Sequence, residues 1–393
     1  MRVEPCSWDE ARARAAHFRR LLEPVRATPE EAVGSILSAP LTAQTDIPAY
    51  DTALADGWAI AGPGPWRIRE ARKRDLFAGL EYHEATTHHL LLDGQAAPVT
   101  HGEARGSGVL AAARCIVEGD LLKLAEGSRT THSYIEPGTG VRPRGSDAGF
   151  GTKLLDAGER VTPAVAALSA SAGHDSIDIF PMPSIGLVRI GEAVLDRGIP
   201  RSGLTRDAVS PALPGWIAGL HGRCQPARWV TTGDAELIDV IDDVISDVVI
   251  TAGPESGAAV RRVLGGMRAD ILVDGVTCQP GGSMLLAQLQ DGRPLIHCGD
   301  APADALAALL TLLSPIIAAL TGITDPAGRS RMHSSVFGDR TKSTLIPVQH
   351  VGERGQDVEI VRPGGPGGLF ALARATALAV VPVGGARTNE PVT

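Results

Sequence analysis

The sequence predicts a multi-domain protein in which a central, mostly parallel α/β sheet is joined to smaller β-rich parts. A chain of 393 residues is too long for one ordinary core, so about three domains are expected. From Ile185 onward, apolar runs of strand length alternate with helical patterns, which is typical of a parallel sheet with crossover helices. Elsewhere, short apolar runs broken by Gly, Pro and Asp indicate small β-domains.

Composition and charge narrow the class of partner. The chain is 44% apolar and 21% charged, as globular proteins are. Its formal net charge of −8 argues against a nucleic-acid binder, because neutralising phosphates requires clustered Lys and Arg. A small-molecule substrate, or a protein partner that the sequence does not identify, fits this charge better.

The five cysteines include no Cys-x-x-Cys pair, so neither a disulfide framework nor a structural zinc site is predicted. A reducing cytoplasm is the simplest location. The first 22 residues contain no apolar stretch that would indicate a signal peptide. The longest apolar segment, residues 301–320, contains Asp304 and Pro315 and is predicted to be a buried helix rather than a membrane span.

The first half of the chain is predicted to open with two helices. Ser7 and Glu10 form a capping box ahead of a helix over residues 8–22. Thr28 is expected to cap a second helix over residues 32–37. A small β-domain follows, with strands at residues 57–60, 88–92, 109–113 and 121–124. A helix over residues 164–172 then starts after Thr162-Pro163 and ends at Gly173.

The second half carries the α/β pattern. Strands are predicted at residues 185–190, 228–231, 248–251 and 271–273, with helices at residues 211–220 and 235–245. Two further runs, residues 284–289 and 295–297, are expected to form an antiparallel hairpin at the sheet edge. Short strands at residues 344–351, 358–361 and 377–383 predict a last small β-domain.

The stretch that best indicates a ligand is residues 247–257. Its apolar run lacks alternation and so predicts a strand covered on both faces. Gly253 and Gly257 follow, and a helix is predicted over residues 258–265, whose first N–H groups would point back at the loop. Strand, glycine loop and helix start together make an anion pocket at the carboxyl end of a sheet. An ordinary strand-to-helix turn without a ligand explains this motif equally well.

Two segments of the first half resemble a known family. Residues 48–59, PAYDTALADGWA, are similar to a signature of proline, aspartate, small residues and Asp-Gly-Tyr-Ala, with both aspartates kept as Asp51 and Asp56. Residues 142–163 are similar to the segment where such chains return to their first domain. On these motifs the chain resembles the molybdopterin molybdenumtransferase family, which inserts molybdate into adenylylated molybdopterin and includes the C-terminal domain of gephyrin.

The resemblance implies four domains. A helical hinge domain would combine residues 1–40 with 140–176, and residues 41–139 would form an inserted β-domain. Residues 177–325 would form the α/β domain of molybdopterin-binding type, and residues 326–393 a small C-terminal β-barrel. The family also implies a homodimer, a divalent cation, usually Mg²⁺, and molybdopterin-AMP and molybdate as substrates.

The resemblance assigns roles to individual residues. Asp51, Asp56 and Thr100 would close over the site from the partner subunit, and Glu192 would be a further catalytic acid. For the two aspartates, Asx-turn formation is the alternative, and for Thr100 it is a hydroxyl that caps a turn. Asp207 and Asp234 would bind the metal. The residues expected to bind the cofactor are Gly253, Glu255, Ser256, Gly257, Pro280, Gly281, Gly299 and Asp300.

The same site departs from the family pattern at several positions. Ala193 and Val260 stand where the family has functional acids, and Val209 replaces an asparagine. Residues 279–283, QPGGS, replace Lys-Pro-Gly-Lys-Pro, and the loss of two lysines disfavours an anionic ligand by roughly a kcal/mol per charge. Two hypotheses therefore stay open: an active molybdenum insertase with an altered site, and a catalytically degenerate paralogue that acts as a ligand-binding or protein-binding scaffold.

Overall fold

The computed structural model divides the chain into two units. The α/β unit comprises Met1–Val25, Gly34–Ile36 and Ile179–Thr393, and the inserted unit comprises Arg26–Val33 and Leu37–Asp178. The structure describes residues 4–18, 21–68, 95–99, 108–111, 115–118, 121–124, 136–191, 194–195, 197–200, 205–231, 233–253, 256–299, 301–323, 328–352, 357–362 and 369–393.

A seven-stranded sheet forms the middle of the α/β unit. Val248–Ala252 lies inside it and is buried along its whole length, as its unbroken apolar run predicts. Its two neighbours, Ser184–Ile190 and Pro294–His297, both run parallel to it. The order is Arg223–Cys224, Ser184–Ile190, Val248–Ala252, Pro294–His297, Leu285–Gln288 and Asp270–Asp274, with Arg228–Val230 also pairing with Ser184–Ile190.

The predicted hairpin forms, but its predicted position at the sheet edge is wrong. Leu285–Gln288 and Pro294–His297 pair antiparallel, and Pro294–His297 then lies inside the sheet beside Val248–Ala252. The edge strand is Asp270–Asp274, which pairs antiparallel with Leu285–Gln288. Every residue of Pro294–His297 is buried, whereas Asp270–Asp274 keeps an exposed acid at its start, so burial explains which strand is central.

Helices cover both faces of this sheet. One face packs against Trp8–Ala15, Leu213–Gly219 and the helical run Pro302–Thr321, and the other packs against Asp234–Asp243 and Gly257–Gly266. The run Pro302–Thr321 consists of Pro302–Ala308, a π-helical turn at Leu309–Leu313, and Ser314–Thr321. By length and composition it could span a membrane, but 72% of its apolar window is buried inside the protein, which confirms the predicted core helix.

The first helix lies in the α/β unit. Ser7 caps it as predicted, accepting from the Glu10 N–H at 3.2 Å, but the helix Trp8–Ala15 is shorter than expected. The indole N–H of Trp8, the first residue of this helix, donates to Thr311 Oγ1 at 3.0 Å, and the Cys6 N–H donates to the Gly275 carbonyl. These contacts join the start of the chain to the sheet-covering helices.

The C-terminal part of the α/β unit is a second, six-stranded sheet. The three predicted strands form as Ser343–Val351, Asp357–Ile360 and Ala377–Val381. The order is Cys278–Gln279, Ser343–Val351, Asp357–Ile360, Ser330–Met332 and Pro391–Val392, with Ala377–Val381 pairing with Ser343–Val351. Smaller elements are the pairs Val336–Phe337 with Gly385–Ala386 and Val194–Leu195 with Thr205–Arg206, and the helix Leu369–Leu372.

The inserted unit is rich in short strands, as predicted. Its six-stranded sheet has the order Gly108–Ala111, Gly57–Ala61, Gln95–Val99, Trp66–Ile68, Leu121–Leu124 and Cys115–Glu118. Thr162 caps the helix Pro163–Ser171. The predicted strand at residues 88–92 lies outside the described residues. Two strand pairs also belong to this unit: Val141–Arg142 with Thr52–Ala53, and Lys153–Leu155 with Leu41–Thr42. A further three-stranded sheet of the chain has the order Val25–Ala27, Ile177–Phe180 and Ile36–Leu37.

The second predicted helix, over residues 32–37, is wrong. Its capping box is present, because Glu31 N–H donates to Thr28 Oγ1 and Thr28 N–H donates to the Glu31 carboxylate. The chain nevertheless continues as turns and then as the strand Ile36–Leu37. Gly34 has a φ of +95°, which ends any helical turn, so the local capping signal does not extend into a helix.

Candidate ligand-binding site at the carboxyl end of the central sheet

Three parallel strands of the central sheet end in glycine turns along one edge. Ser184–Ile190 leads to Gly191, Val248–Ala252 leads to Gly253, and Pro294–His297 leads through Cys298 to Gly299. The Gly253 N–H donates to the Gly299 carbonyl at 3.2 Å, which ties two of the turns together. We call Gly191, Gly253 and Gly299 the glycine rim. The carboxyl ends of parallel strands are where ligands of open α/β sheets bind.

Gly253 is required by packing. A β-carbon there would lie 1.9 Å from the Ile190 carbonyl oxygen and 2.8 Å from its carbon, which no side chain allows. Its N–H is already used by Gly299, and the Gly281 N–H donates to Asp304 Oδ1 at 2.6 Å. Internal acceptors therefore take the N–H hydrogens of both Gly253 and Gly281, so any contact of these glycines with a ligand would use other atoms.

The start of the helix Gly257–Gly266 has no side-chain cap. Ser256 occupies the N-cap position but makes no capping bond, because its buried hydroxyl donates to the Gly253 carbonyl at 2.6 Å. The first N–H groups of a helix have no acceptor within the helix, and together with its dipole they attract anions. The helix start therefore is the clearest anion-binding feature beside the glycine rim.

Two nitrogen-bearing side chains lie beside this helix start. A β-carbon at Gly257 would be 2.9 Å from Arg261 Nη1 and 3.5 Å from His297 Nε2. Arg261 is held by Asp274, whose Oδ1 accepts from Nε at 2.7 Å. His297 is buried, and its Nδ1 lies 3.1 Å from Thr251 Oγ1. Arg261 could have been found in the sequence, since it is one helical turn after Gly257. The sequence carries no local signal for His297, because only strand pairing brings it here.

The opposite face of the same sheet carries a buried ion pair. Arg189 Nη2 lies 3.0 Å from Asp207 Oδ1, and the two side chains are 3% and 4% exposed. The Trp229 ring lies 5.7 Å from the guanidinium carbon of Arg189. Burial alone would raise the pKa of Asp207, but hydrogen bonds from Ser210 and Val209 and the charge of Arg189 outweigh it and lower that pKa.

The two aspartates that the resemblance implies as metal ligands are both engaged by arginines. Asp207 Oδ1 accepts from Arg189 and from the Val209 and Ser210 N–H groups, each at 3.0 Å. Asp234 accepts from Arg262 at 2.9 and 3.1 Å. Within the described part of the chain, no group of three or more His, Cys, Asp or Glu side chains is arranged to hold a metal ion. These donors do not fit the Mg²⁺ site that the resemblance implies.

The other predicted site residues have mixed placements. Pro280 follows a cis peptide bond and leads to Gly281 at a φ of +93°. Asp51, in the inserted unit, accepts from the Arg144 N–H at 2.6 Å; because Arg144 lies 93 residues further along the chain, this bond is a tertiary contact and not an Asx turn. Asp56 directly precedes the strand Gly57–Ala61. Thr100, Glu192, Glu255 and Asp300 lie outside the described residues.

The position of the missing family aspartate is filled by core packing. Val260 is fully buried and belongs to the apolar cluster between the helix Gly257–Gly266 and the sheet. Val209 is buried on the opposite face. Both substitutions therefore replace polar groups by core side chains.

A separate cavity of about 580 Å³ lies elsewhere in the α/β unit. Its described lining includes Trp8, Trp216, Leu310, Leu345 and Val380, and is predominantly apolar. The glycine rim is not part of that lining. A phosphorylated ligand needs amide or cationic donors, so we assign the candidate site to the rim and the helix start rather than to this cavity.

Comparisons with known proteins agree with the fold and the motifs. Residues 6–173 match the family described as MoeA N-terminal region (domain I and II). Molybdopterin molybdenumtransferase 1 of Mycobacterium tuberculosis is 25% identical over 425 aligned positions, covering 98% of this chain and 97% of the relative. Molybdopterin molybdenumtransferase 2 of the same organism is 24% identical over 335 positions, covering 79% and 78%.

A solved structure shows the same fold. The molybdopterin biosynthesis protein MoeA of Pyrococcus horikosii superposes with a TM-score of 0.68 at 20% identity, covering 99% of this chain and 97% of the other. The sequence motifs, the profile match and the full-length relatives agree with one another. The chain is therefore similar, over nearly its whole length, to the molybdopterin molybdenumtransferases.

Proposed function

We propose that this chain acts in molybdenum cofactor biosynthesis by binding adenylylated molybdopterin at the glycine rim and inserting molybdate into it. The observation that carries the proposal is the helix start at Gly257, which lacks a side-chain cap and lies beside Arg261 and His297. An uncapped helix start with an adjacent guanidinium is suited to a phosphate or an oxyanion.

The side chains of the site would bind and orient the substrate. Arg261 is fixed through its Nε by Asp274, which leaves Nη1 directed at the helix start. A guanidinium presents a rigid fork of donors to phosphate oxygens. It supplies part of the positive charge that the two absent lysines of residues 279–283 would otherwise provide. His297 stays oriented by Thr251 beneath the same helix.

The proposal extends to the assembly and location of the protein. A homodimer would let Asp51, Asp56 and Thr100 of a second copy contribute to the site, and a cytoplasmic location would suit the scattered cysteines. Size-exclusion chromatography with light scattering tests the first statement. A strictly monomeric chain would contradict it.

A second candidate function is ligand or protein binding without turnover. It is favoured by Val260, whose burial in the core leaves no place for the carboxylate that the family has there. A scaffold would keep the fold and the ligand site while losing the chemistry. Loss of polar contacts to a transition state typically lowers rates by factors of about a hundred each.

The decisive experiment replaces an authentic insertase by this chain and measures active cofactor as a function of molybdate. Restored, molybdate-dependent cofactor supports the enzyme. No restoration, together with molybdopterin-AMP binding by calorimetry, supports the scaffold.

Absence of both restoration and binding would contradict the enzyme and the ligand-binding scaffold. The site is tested by Arg261→Met against its matched neighbour Arg262→Met, since Arg262 pairs with Asp234 on the exposed start of another helix. We expect only Arg261→Met to weaken molybdopterin-AMP binding, by about tenfold or more. Equal weakening in the two variants would remove Arg261 from the site.

A further inference from the structure

We infer that Arg189 takes the place of a divalent cation at Asp207, so that the α/β unit of this chain keeps no Mg²⁺ site there. The family resemblance implies that Mg²⁺ takes part in the reaction. The inference rests on the proposed function only where it names Mg²⁺ as the expected cation. Its claim about the metal concerns the protein alone.

The first support is the complete use of Asp207 Oδ1. Three donors converge on this oxygen at 3.0 Å: Arg189 Nη2 and the N–H groups of Val209 and Ser210. Mg²⁺ requires oxygen ligands at about 2.0–2.1 Å in octahedral geometry and usually keeps several waters. An oxygen that already accepts three hydrogen bonds presents no lone pair in such a geometry.

The second support is the position of the positive charge. The Arg189 side chain is 3% exposed and lies between Asp207 and the Trp229 ring. Arg189 pairs in register with Ala252 and Trp229, which fixes its strand position next to the glycine rim. A divalent cation brought to Asp207 would meet a fixed guanidinium within a few ångströms, and like charges repel strongly where water is excluded. The guanidinium and the cation therefore compete for one place.

The third support is a repeated arrangement. Asp234 is held by Arg262 and Asp274 is held by Arg261, so three aspartates of the α/β unit each pair with an arginine. Of these three pairs, Arg189–Asp207 is the only one in which both side chains are buried. A buried carboxylate needs a counter-charge, and here a side chain provides it.

The test begins with the native chain. Mn²⁺, a paramagnetic substitute for Mg²⁺, is titrated into the metal-free protein and followed by electron paramagnetic resonance, and the melting temperature is compared in EDTA and in excess Mg²⁺. We expect no stoichiometric Mn²⁺ binding and no shift in melting temperature. One tightly bound Mn²⁺ per chain that disappears in Asp207→Asn would overturn the inference.

Variants then test whether the Arg189 guanidinium occupies the position that a divalent cation would take at Asp207. In Arg189→Met the buried Asp207 loses its counter-charge, so we expect Mg²⁺ to raise the melting temperature of this variant. The matched control, Arg262→Met, releases the exposed Asp234 and should give no such rise. The double variant Arg189→Met/Asp207→Asn should lose the Mg²⁺ response.

A Mg²⁺ response absent from Arg189→Met, or equal in Arg189→Met and Arg262→Met, would overturn the inference. If Arg189→Met does not fold, the Mn²⁺ titration of the native chain still decides it. Neither measurement uses a pterin, so failure of the proposed function in the insertase replacement leaves this result unaffected. Conversely, a native Mn²⁺ site at Asp207 would overturn the inference and leave the proposed function standing.

Discussion

Two arginine–aspartate pairs in the α/β unit have nearly the same length but lie in different surroundings. Arg189 and Asp207 are 3.0 Å apart with side chains 3% and 4% exposed, whereas Arg262 and Asp234 are 2.9 Å apart with side chains 59% and 45% exposed. Breaking a buried pair leaves a charge that water cannot reach, but an exposed charge is simply rehydrated. Burial, rather than distance, therefore determines what each pair does for the protein.

The comparison also separates the two predicted metal ligands. Asp234 is exposed and pairs with a flexible side chain, so its carboxylate remains accessible to solvent. Asp207 is buried, and Arg189 and two backbone N–H groups hold its carboxylate. The resemblance assigns Asp207 and Asp234 the same expected role, metal binding, but the two residues have different physical surroundings.

The largest expected effect comes from removing the buried partner. Asp207→Ala leaves the Arg189 guanidinium buried without its carboxylate, and we expect the free energy of unfolding to fall by about 3–5 kcal/mol. Urea unfolding followed by circular dichroism measures this. A loss below about 1 kcal/mol would mean that water reaches Arg189 and that the two pairs do not differ as described.

The next largest effect is expected at the glycine rim, where Gly253 packs tightly against the backbone. In Gly253→Ala the new β-carbon would approach the Ile190 carbonyl to 1.9 Å, so we expect a loss of about 1–3 kcal/mol from forced backbone displacement. The matched control is Gly265→Ala, in the helix Gly257–Gly266, where a β-carbon meets nothing within 4 Å. That control should instead stabilise the protein by about 0.5–1 kcal/mol.

Equal behaviour of the two glycine variants in chemical unfolding would contradict the close approach at the rim.

A smaller effect is expected in the pH dependence of the free energy of unfolding. The folded pKa of Asp207 is lowered, so its contribution is present above the unfolded pKa of about 3.9 and is lost as pH falls through the folded pKa. The free energy of unfolding of the native chain should therefore decline below about pH 4 more steeply than that of Asp207→Asn. Unfolding curves between neutral and acid pH measure these slopes, and parallel slopes would contradict the prediction.

The smallest effect is expected at the exposed pair. The hydrogen bonds and charge of Arg262 also lower the pKa of Asp234, but solvent screens this pair. Asp234→Ala should leave the urea midpoint unchanged within error. A clear destabilisation would show that Asp234 has a structural role that its exposure does not suggest.

Elements with a strong local signal could be predicted well. The unbroken apolar run at Val248–Ala252 identified a central strand, and Ser7 and Thr162 identified two helix starts. These signals reside in neighbouring residues, whose backbone conformations they restrict directly. At Thr28 the same kind of signal failed, because a single glycine at positive φ, Gly34, ends the turn before a helix can form.

The candidate site was predicted less completely. The glycine turns and the helix start were expected from residues 247–257, and the structure gathers the turns on one edge. The use of the Gly253 and Gly281 N–H groups by internal acceptors was not foreseen. Nor was the pairing of Arg189 with Asp207, since the acceptors and partners in both cases lie on other strands and loops.

The sequence by itself determined the family resemblance, the alternation of strands and helices, and the positions where valine stands in place of a polar residue, because these depend only on residue identity and local order. The tertiary structure decided which strand lies inside the sheet, which glycine N–H groups remain available, and which charge faces Asp207. Those outcomes depend on strand order, packing and burial, and residues 18 or more positions apart, such as Arg189 and Asp207, meet only after the sheet has formed. The energy of a charge or a hydrogen bond is set by the neighbours that exclude water, and only the folded chain supplies them.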